Sequence, residues 1–210
     1  MFDEVLSLFQ KMPATSPLTR FECVTLGCLK FTDRIKMKSP YYFVIMLAPL
    51  FAQCTSQNLE TVSSVDLDKY MGTWYEIASF PQRFQKGCHC TTATYTKTEK
   101  DYVIVENRCR KDSVRGKESY IKGKAFVVPN TGNAKLKVQF FWPFKGKYWI
   151  IDLADDYSYA VVGHPNRKYL WILSRTPEMD EELYRNILHR IAQKNFDISK
   201  LQKTMQLDCP

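Results

Sequence analysis

The chain has 210 residues, of which 25% are charged and 45% are hydrophobic, and its formal net charge is +8. Residues 1–53 hold six basic and four acidic residues, which leaves 24 basic and 18 acidic residues in the remainder. No segment concentrates this excess into a basic stripe, so we expect no nucleic-acid partner. A modest positive charge suits a solvated surface that attracts an anionic membrane or an acidic headgroup.

The amino-terminal region has the layout of a secretory signal. An apolar run occupies residues 41–52 and follows Lys36 and Lys38. The run is too short to cross a bilayer, but a basic stretch before a short apolar core is typical of a signal peptide. We therefore predict a signal peptide over residues 37–53, with translation from Met37, and interpret residues 1–36 as an over-extended start.

The cleavage site decides whether the protein is anchored. Residues 50–54, Leu-Phe-Ala-Gln-Cys, resemble the lipobox of bacterial lipoproteins, whose cysteine becomes the acylated amino terminus. This interpretation predicts lipidation at Cys54 and a lipid-anchored protein at the outer membrane of a Gram-negative cell. Gln53 stands where a lipobox has a small residue, so cleavage after Ala52, which would leave a soluble periplasmic or secreted protein, stays open.

The remainder of the chain predicts a β-barrel behind a flexible tether. Residues 54–65 are rich in Ser, Thr, Asn and Gln and are expected to form a tether that needs no fold. After them come short β-branched and aromatic runs separated by turn residues. The runs are 73–80, 91–98, 102–109, 118–128, 134–142, 147–153, 158–163 and 169–175. Eight such runs without intervening helices indicate an all-β, antiparallel up-and-down barrel and not a parallel α/β fold.

A single long helix is predicted after the last strand. Thr176 supplies a hydroxyl N-cap, Pro177 suits the first helical position, and Glu178 places acid in the first turn. These signals predict a helix that begins at Pro177 and ends at about Asn195. Its apolar residues recur at helical spacing at Leu183, Ile187, Leu188 and Ile191. We expect this stripe to pack on the outside of the barrel.

The residues that carry catalysis or bind metals are sparse. The three histidines, His89, His164 and His189, are expected on a loop, a strand end and the helix. No Ser or Cys stands at the spacing of a nucleophile elbow. Residues 88–90, Cys-His-Cys, make a poor tetrahedral set for zinc. We therefore expect that the protein is not an enzyme and that it holds neither a metal ion nor a cofactor.

Three segments carry a resemblance to a known family. Residues 70–77 place Gly-x-Trp at the start of the first strand, and residues 155–162 and 171–175 follow about 85 and 100 residues further on. In this order and spacing they resemble the signature segments of the lipocalins. Residues 66–210 are similar to the branch that holds bacterial outer-membrane lipocalins, plant temperature-induced lipocalins and apolipoprotein D. The resemblance implies that Gly72, Trp74 and Arg175 close one end of the barrel, with the Arg175 guanidinium on the Trp74 indole.

The resemblance also implies a function. It indicates a carrier that holds a fatty acid or lysophospholipid in the barrel lumen, in membrane or envelope maintenance under stress. Two alternatives stay open, a filled barrel that acts as an interaction module and a carrier of another apolar ligand such as a tetrapyrrole or sterol. The sequence leaves open whether the protein forms a homodimer.

Alternation along the strands identifies the expected lumen residues once the closed end is placed. The last strand turns Trp171 and Leu173 inward, and alternation on two other strands turns two further sets inward. These sets are Leu136, Val138 and Phe140, and Ile121, Gly123 and Ala125. The resemblance adds Ala93, Tyr95, Tyr148 and Ile150. Small residues at Ala93, Gly123 and Ala125 are expected to leave room for a ligand between aromatic walls.

The loop after the first strand is expected to lie at the mouth of the lumen. Phe84 is predicted to act as a gate there. Arg83 or Lys86 is expected to lie near a phosphate or carboxylate of the ligand, or else to be solvated. Five cysteines remain from Cys54 onward, and lipidation of Cys54 would leave four to pair. Four cysteines allow three pairings, and the resemblance implies two disulfides, Cys88–Cys109 and Cys90–Cys209.

Overall fold

The computed structural model describes residues 58–210. The predictions for residues 1–36, for the signal peptide over 37–53 and for lipidation at Cys54 lie outside the described residues. None of the helices within residues 58–210 is both long enough and apolar enough to cross a bilayer.

Strands dominate the described chain. A short helix, α1 (Leu67–Tyr70), precedes them, and its N-cap Asp66 accepts hydrogen bonds from the backbone of Asp68 and Lys69. The barrel strands are β1 (Gly72–Ser79), β2 (Cys88–Lys97), β3 (Val103–Lys111), β4 (Glu118–Val127), β5 (Lys135–Gln139), β6 (Gly146–Leu153), β7 (Tyr159–Gly163) and β8 (Leu170–Ser174). Helix α2 (Glu181–Gln193) and a short strand, β9 (Gln202–Lys203), follow.

The sheet closes on itself. Each barrel strand pairs antiparallel with its neighbour in the order β2-β3-β4-β5-β6-β7-β8-β1, and β1 pairs in addition with β2. The register runs from Gly72 opposite Tyr95 to Tyr75 opposite Thr92. The predicted fold, an eight-stranded antiparallel up-and-down barrel with a helix outside, is confirmed.

Side-chain alternation divides the apolar residues into a lumen cluster and a helix cluster. The buried part of the lumen cluster comprises Val65, Tyr70, Trp74, Tyr95, Val103, Val105, Ala125, Ala134, Leu136, Ile150, Ala160, Val162 and Leu173. The helix cluster joins Ile172, Val161 and Ile151 of the barrel wall to Ile187 and Ile191 of α2. Strand β8 shows the division, because Leu173 and Trp171 belong to the lumen cluster whereas Ile172 faces α2.

Helix α2 begins four residues later than predicted. Asp180 is its N-cap and accepts a hydrogen bond from the Leu183 backbone, so the expected N-cap at Thr176 and helical start at Pro177 are wrong. The Thr176 hydroxyl instead donates to the Glu178 carbonyl and lies 3.1 Å from the Ser174 hydroxyl. These local bonds hold residues 174–178 as a turn, and the next acidic residue that can cap the helix is Asp180.

Two strand limits differ from prediction by three residues, and the others differ by at most two. Strand β5 ends at Gln139 and not at residue 142, because the following aromatic run leads to Pro143, which has no N–H to donate to a ladder. Strand β2 begins at Cys88, three residues before the predicted limit, which places His89 in a strand and not in a loop.

The predicted tether is wrong for its described part. Leu59 is 3% exposed and belongs to the helix cluster, and Val65 is 2% exposed in the lumen cluster. The Val62 backbone N–H donates to Ile150 O, and that of Val65 donates to Gly132 O. The regular spacing of apolar residues among polar ones therefore fastens residues 59–65 to the barrel, although their composition is that of a linker.

The carboxyl-terminal segment completes the wall between β1 and β2 at the open end. β1 pairs with β2 only through residue 75, and beyond it β9 pairs with Ala78 and Ser79. The side-chain amide of buried Gln206 then donates to both the Glu76 and the Thr91 carbonyls, each at 2.8 Å. The chain end thus bridges two strands that no longer bond to each other.

Two disulfides lie at this same end of the barrel. The structure bonds Cys88 to Cys109, which joins β2 to β3, and Cys90 to Cys209, which joins β2 to the chain end. These are the pairs that the resemblance implies. The Cys90 backbone N–H also donates to Met205 O.

Candidate functional site

The closed end of the barrel is built around Trp74. Its indole is fully buried, its Nε1 donates to Tyr70 O at 2.9 Å, and the Arg175 guanidinium carbon lies 3.7 Å from its ring centroid. Arg175 donates to Thr73 O and Lys69 O, at 2.9 and 2.7 Å. Gly72 has φ +93°, and a Cβ there would lie 3.4 Å from an Arg175 nitrogen. A glycine therefore suits both the backbone conformation and the approach of the guanidinium.

A cluster of three tyrosines lies above this plug. Tyr148 Oη is 2.9 Å from Tyr70 Oη and 2.8 Å from Tyr95 Oη. Burial raises the pKa of Tyr95 to about 12 and raises the pKa values of Tyr70 and Tyr148 well above that of an ordinary phenol. The phenol cluster, as we call these three side chains, is therefore neutral at physiological pH.

Most of the predicted lumen residues are brought together. Ala93, Val138, Phe140, Tyr148 and Trp171 all pack against the lumen cluster and are all only partly buried. Ala93 lies opposite Trp74 on the neighbouring strand, and Tyr95 belongs to the buried base. Ile121 is not part of either apolar cluster, and its register partner is Asn107 on β3.

The expectation that Gly123 and Ala125 leave room for a ligand is wrong. A Cβ on Gly123 would lie 2.6 Å from a Phe140 ring carbon and 2.6 Å from Gln139 O, so the Phe140 ring fills this space. Ala125 is fully buried in the lumen cluster. Among the three small residues, Ala93 alone remains partly exposed. Gly123 thus serves to seat Phe140 against the wall.

A buried carboxylate in the wall escaped the sequence analysis. Glu76 is 5% exposed, and its oxygens accept hydrogen bonds from the side chains of Ser79, Gln85 and Thr204 at 3.0, 2.8 and 2.6 Å. Gln85 in turn accepts a hydrogen bond from Trp171 Nε1 at 3.4 Å. The period of two from Trp74 could have placed Glu76 inward, but its partners come from distant segments. The network ties the mouth loop and the chain end to the lumen wall.

Asn107 is a second polar residue that sequence reasoning missed. It lies opposite Ala93 on one side and Ile121 on the other, which are predicted lumen residues. Its Oδ1 is buried and has no hydrogen-bond partner within the described chain. Alternation along Val103, Val105 and Asn107 was the signal that could have found it.

The open end exposes aromatic and basic side chains. Phe84 is 70% exposed on a 3₁₀ helix (Arg83–Gln85), and Trp142 is 87% exposed on the β5–β6 loop. Phe84 belongs to neither apolar cluster, and its role as a gate stays a prediction. Lys111 Nζ donates to Lys86 O at 3.2 Å and to Phe84 O at 3.5 Å, which fixes a positive charge beside this loop.

The groups that line the lumen are apolar side chains and neutral phenols. Within residues 58–210, no three His, Cys, Asp or Glu side chains are arranged to hold a metal ion. The cysteines at the mouth are bonded to each other in disulfides. What the lumen offers is apolar walls, a neutral phenol cluster at its base and charge at its rim.

Comparison with known proteins matches residues 65–206 to the model of the lipocalin-like domain. The chain belongs to the lipocalin family. Temperature-induced lipocalin-1 of Arabidopsis thaliana is 42% identical over 163 residues, which cover 73% of this chain and 86% of that protein. The outer membrane lipoprotein Blc of Escherichia coli K12 is 39% identical over 155 residues, which cover 72% and 87%. The family is one of binding proteins for small hydrophobic ligands.

The fold of this lipocalin is shared with solved structures at lower identity. Insecticyanin from the tobacco hornworm Manduca sexta superposes with a TM-score of 0.58 at 24% identity. The match covers 70% of this chain and 84% of insecticyanin. This similarity concerns the barrel alone.

Proposed function

We propose that this lipocalin binds a fatty acid or lysophospholipid in its lumen and stores or transports it in the maintenance of a membrane or cell envelope under stress. One observation carries the proposal. Ala93, Val138, Phe140, Tyr148 and Trp171 face the lumen yet stay partly exposed, whereas the base beneath them is buried. A barrel filled by its own side chains would bury all of them. The graded exposure favours a carrier over an interaction module.

An acyl chain gains enough from such a lumen to bind well. Transfer of about 16 carbons at about 0.8 kcal/mol per CH₂ gives about 13 kcal/mol before ordering and association costs are subtracted. The remainder corresponds to dissociation constants from about micromolar to tens of nanomolar. Apolar contact thus sets the affinity, and polar groups set the orientation.

The positive rim suits the charged end of an amphiphile. Arg83 and Lys86 are exposed on the mouth loop, and Lys111 is held beside them by backbone carbonyls. A carboxylate or phosphate at the mouth would keep its hydration on one side and meet these cations on the other. The acyl chain would then enter the lumen with its methyl end first.

Membrane attachment through a lipidated Cys54 is part of the proposal. The Escherichia coli relative is named an outer membrane lipoprotein. Leu59 is packed on the barrel and lies five positions after the cysteine that would be acylated. Five fully extended steps along the backbone span about 17 Å, which would hold the barrel close to the bilayer surface. Cys54→Ala should move the protein from the membrane to the soluble fraction, and continued membrane retention would count against acylation.

Ligand extraction and titration test the carrier function. Organic extraction of the purified protein, followed by mass spectrometry, should release fatty acids or lysophospholipids. A fluorescent fatty acid should quench Trp171, because this indole lines the lumen and is partly exposed. A clean extract together with unchanged tryptophan emission would exclude the carrier and leave the interaction module. A tetrapyrrole or sterol in the extract would change the ligand class and keep the lumen site.

A matched pair of charged substitutions tests the lumen assignment. Phe140→Glu places a carboxylate against the lumen cluster and should reduce fatty-acid affinity at least tenfold, about 1.4 kcal/mol or more. Phe126→Glu makes the same change where the ring packs on Tyr102 and beneath Lys145, outside the lumen cluster. The control should retain binding. Equal losses in both variants would contradict the assignment.

A further inference from the structure

The phenol cluster has one more hydrogen-bond donor than it uses. Tyr70, Tyr95 and Tyr148 carry one hydroxyl proton each, and they share two hydrogen bonds through the Tyr148 oxygen. Whichever phenol donates in each pair, two bonds use two of the three protons. No other group of residues 58–210 accepts a hydrogen bond from these hydroxyls. Within the described chain, one of the three hydroxyl protons therefore lacks an acceptor.

The position of this donor relates it to the lumen. Tyr70 and Tyr95 are buried at the base, whereas Tyr148 remains partly exposed and packs against the lumen cluster. Tyr148 Oη lies within hydrogen-bond distance of both other hydroxyls, so the three hydroxyls converge at one point. A polar group that reached the base of the lumen would meet these hydroxyls first.

The surroundings favour a neutral acceptor over a charged one. The neighbours of the cluster are Trp74, Val105, Leu173 and other apolar side chains. Arg175 is the cation whose charge acts on Tyr70, and its guanidinium donates hydrogen bonds to the carbonyls of Lys69 and Thr73. A carboxylate at the base would lose its hydration without gaining a salt bridge, which is costly. A keto, hydroxyl or ether oxygen loses less hydration free energy and can accept a hydrogen bond from the unused O–H.

We propose that the phenol cluster is a subsite for a neutral oxygen at the buried end of the ligand, so that the barrel prefers long-chain lipids oxygenated near the methyl end. The proposal rests on the carrier function and specifies its ligand class. The acyl chain spans the lumen, its charged group stays at the basic rim, and its distal oxygen accepts the hydrogen bond that the three phenols leave unused.

Matched fatty acids test the subsite in the unaltered protein. Hexadecanoic acid, 15-oxohexadecanoic acid and hexadecanedioic acid have equal chain lengths and differ only near the distal end. By displacement of a fluorescent fatty acid, the oxo acid should bind more tightly than the plain acid, and the dicarboxylate should bind at least about tenfold more weakly than the plain acid. A dicarboxylate that binds best would overturn the proposal, because the base would then be an anion site.

Removing the hydroxyls should reverse the preference. The triple variant Tyr70→Phe, Tyr95→Phe and Tyr148→Phe retains the rings and removes every donor, since any single variant would leave free hydroxyls behind. The ratio of oxo-acid to plain-acid affinity should fall about tenfold, because the keto group is then buried without a partner. The control carries the same change from Tyr to Phe at three positions outside the lumen cluster, Tyr102, Tyr120 and Tyr169. It should keep the affinity ratio of the unaltered protein.

The outcomes separate this proposal from the carrier function. If both acids bind and the ratio is the same in all three proteins, the subsite is refuted and the carrier stands. If neither acid binds the unaltered protein, both proposals fail. Should the triple variant not fold, the infrared band of a ¹³C-labelled 15-oxo group bound to the unaltered protein decides. The band should lie below its position in hexane, and an unshifted band would overturn the subsite.

Discussion

The closed and open ends of the barrel are held together by different kinds of interaction. At the closed end, β1 pairs directly with β2. The space between the strands is filled by buried aromatic rings and a stacked guanidinium, which are held by hydrogen bonds to backbone carbonyls. At the open end, β1 and β2 separate, and the wall depends on two disulfides and on the chain end inserted between the strands. The base is therefore held by packing, whereas the mouth is held by covalent cross-links and by the hydrogen bonds of the chain end.

The largest expected effect is at the plug of the closed end. Trp74→Ala removes a fully buried indole together with its bond to Tyr70 O and its contact with Arg175. We expect a loss of about 3–5 kcal/mol in the free energy of unfolding, measured by urea denaturation. The control Trp171→Ala removes a partly exposed indole near the mouth and should cost about 1–2 kcal/mol. Equal costs would show that packing does not distinguish the two ends.

The insertion of the chain end into the wall should be the next most sensitive feature. Gln206→Ala leaves the Glu76 and Thr91 carbonyls without their shared donor in a buried position. The expected loss is about 2–3 kcal/mol in the free energy of unfolding, because unsatisfied buried polar groups are costly. Gln202→Ala, an exposed change in β9, should stay within about 0.5 kcal/mol of the unaltered protein. If Gln206→Ala leaves the free energy of unfolding unchanged, the disulfides alone are enough to hold this end of the barrel together.

High pH should act on the closed end. Burial raises the pKa of Tyr95 to about 12, whereas an unfolded phenol titrates near pH 10. The raised pKa contributes its full stabilisation of the folded state below pH 10. This contribution is lost as the pH rises through 12, because the unfolded state releases its proton first. Ionisation of Tyr95 alone should lower the free energy of unfolding by about 2 kcal/mol by pH 12.

Urea midpoints between pH 9 and 12 measure this loss. Tyr95→Phe has no phenol to ionise at that position, so its stability should decline less steeply than that of the unaltered protein. Parallel declines would contradict the link between the burial of Tyr95 and alkaline unfolding.

The smallest effect on stability is expected at the mouth. Phe84→Ala removes a ring that is 70% exposed and should change the free energy of unfolding by less than about 0.5 kcal/mol. If Phe84 acts as a gate, a fluorescent fatty acid should dissociate faster from this variant in a stopped-flow experiment. Phe80→Ala removes a buried ring nearby and should be strongly destabilising by comparison. An unchanged dissociation rate would exclude a gating role.

The sequence predicted the two ends of the barrel with unequal success. The resemblance to the lipocalins implied the contacts among Gly72, Trp74 and Arg175 at the closed end, and the structure brings these residues together. Strand alternation likewise separated Trp171 and Leu173 from Ile172. Such local periodicity survives folding because each strand must turn one face to the lumen.

The features that the sequence did not predict arise between distant segments. Glu76 meets Thr204 from the far end of the chain, and Gln206 bridges two strands more than 100 positions earlier. The room expected at Gly123 is filled by Phe140, since a glycine can equally well seat a neighbouring ring. Residues 59–65 read as a linker because composition does not show which apolar side chains find a partner.

Strand β1 lies outside both covalent loops, which enclose residues 88–109 and 90–209. When the molecule is pulled by its two ends, the bond between Cys90 and Cys209 bypasses the rest of the barrel, so that only the chain ahead of residue 90 can lengthen. Mechanical load applied at the amino terminus would therefore peel β1 away from its neighbours and expose the lumen along its length. The other seven barrel strands would stay within the loop of chain that the Cys90–Cys209 disulfide closes.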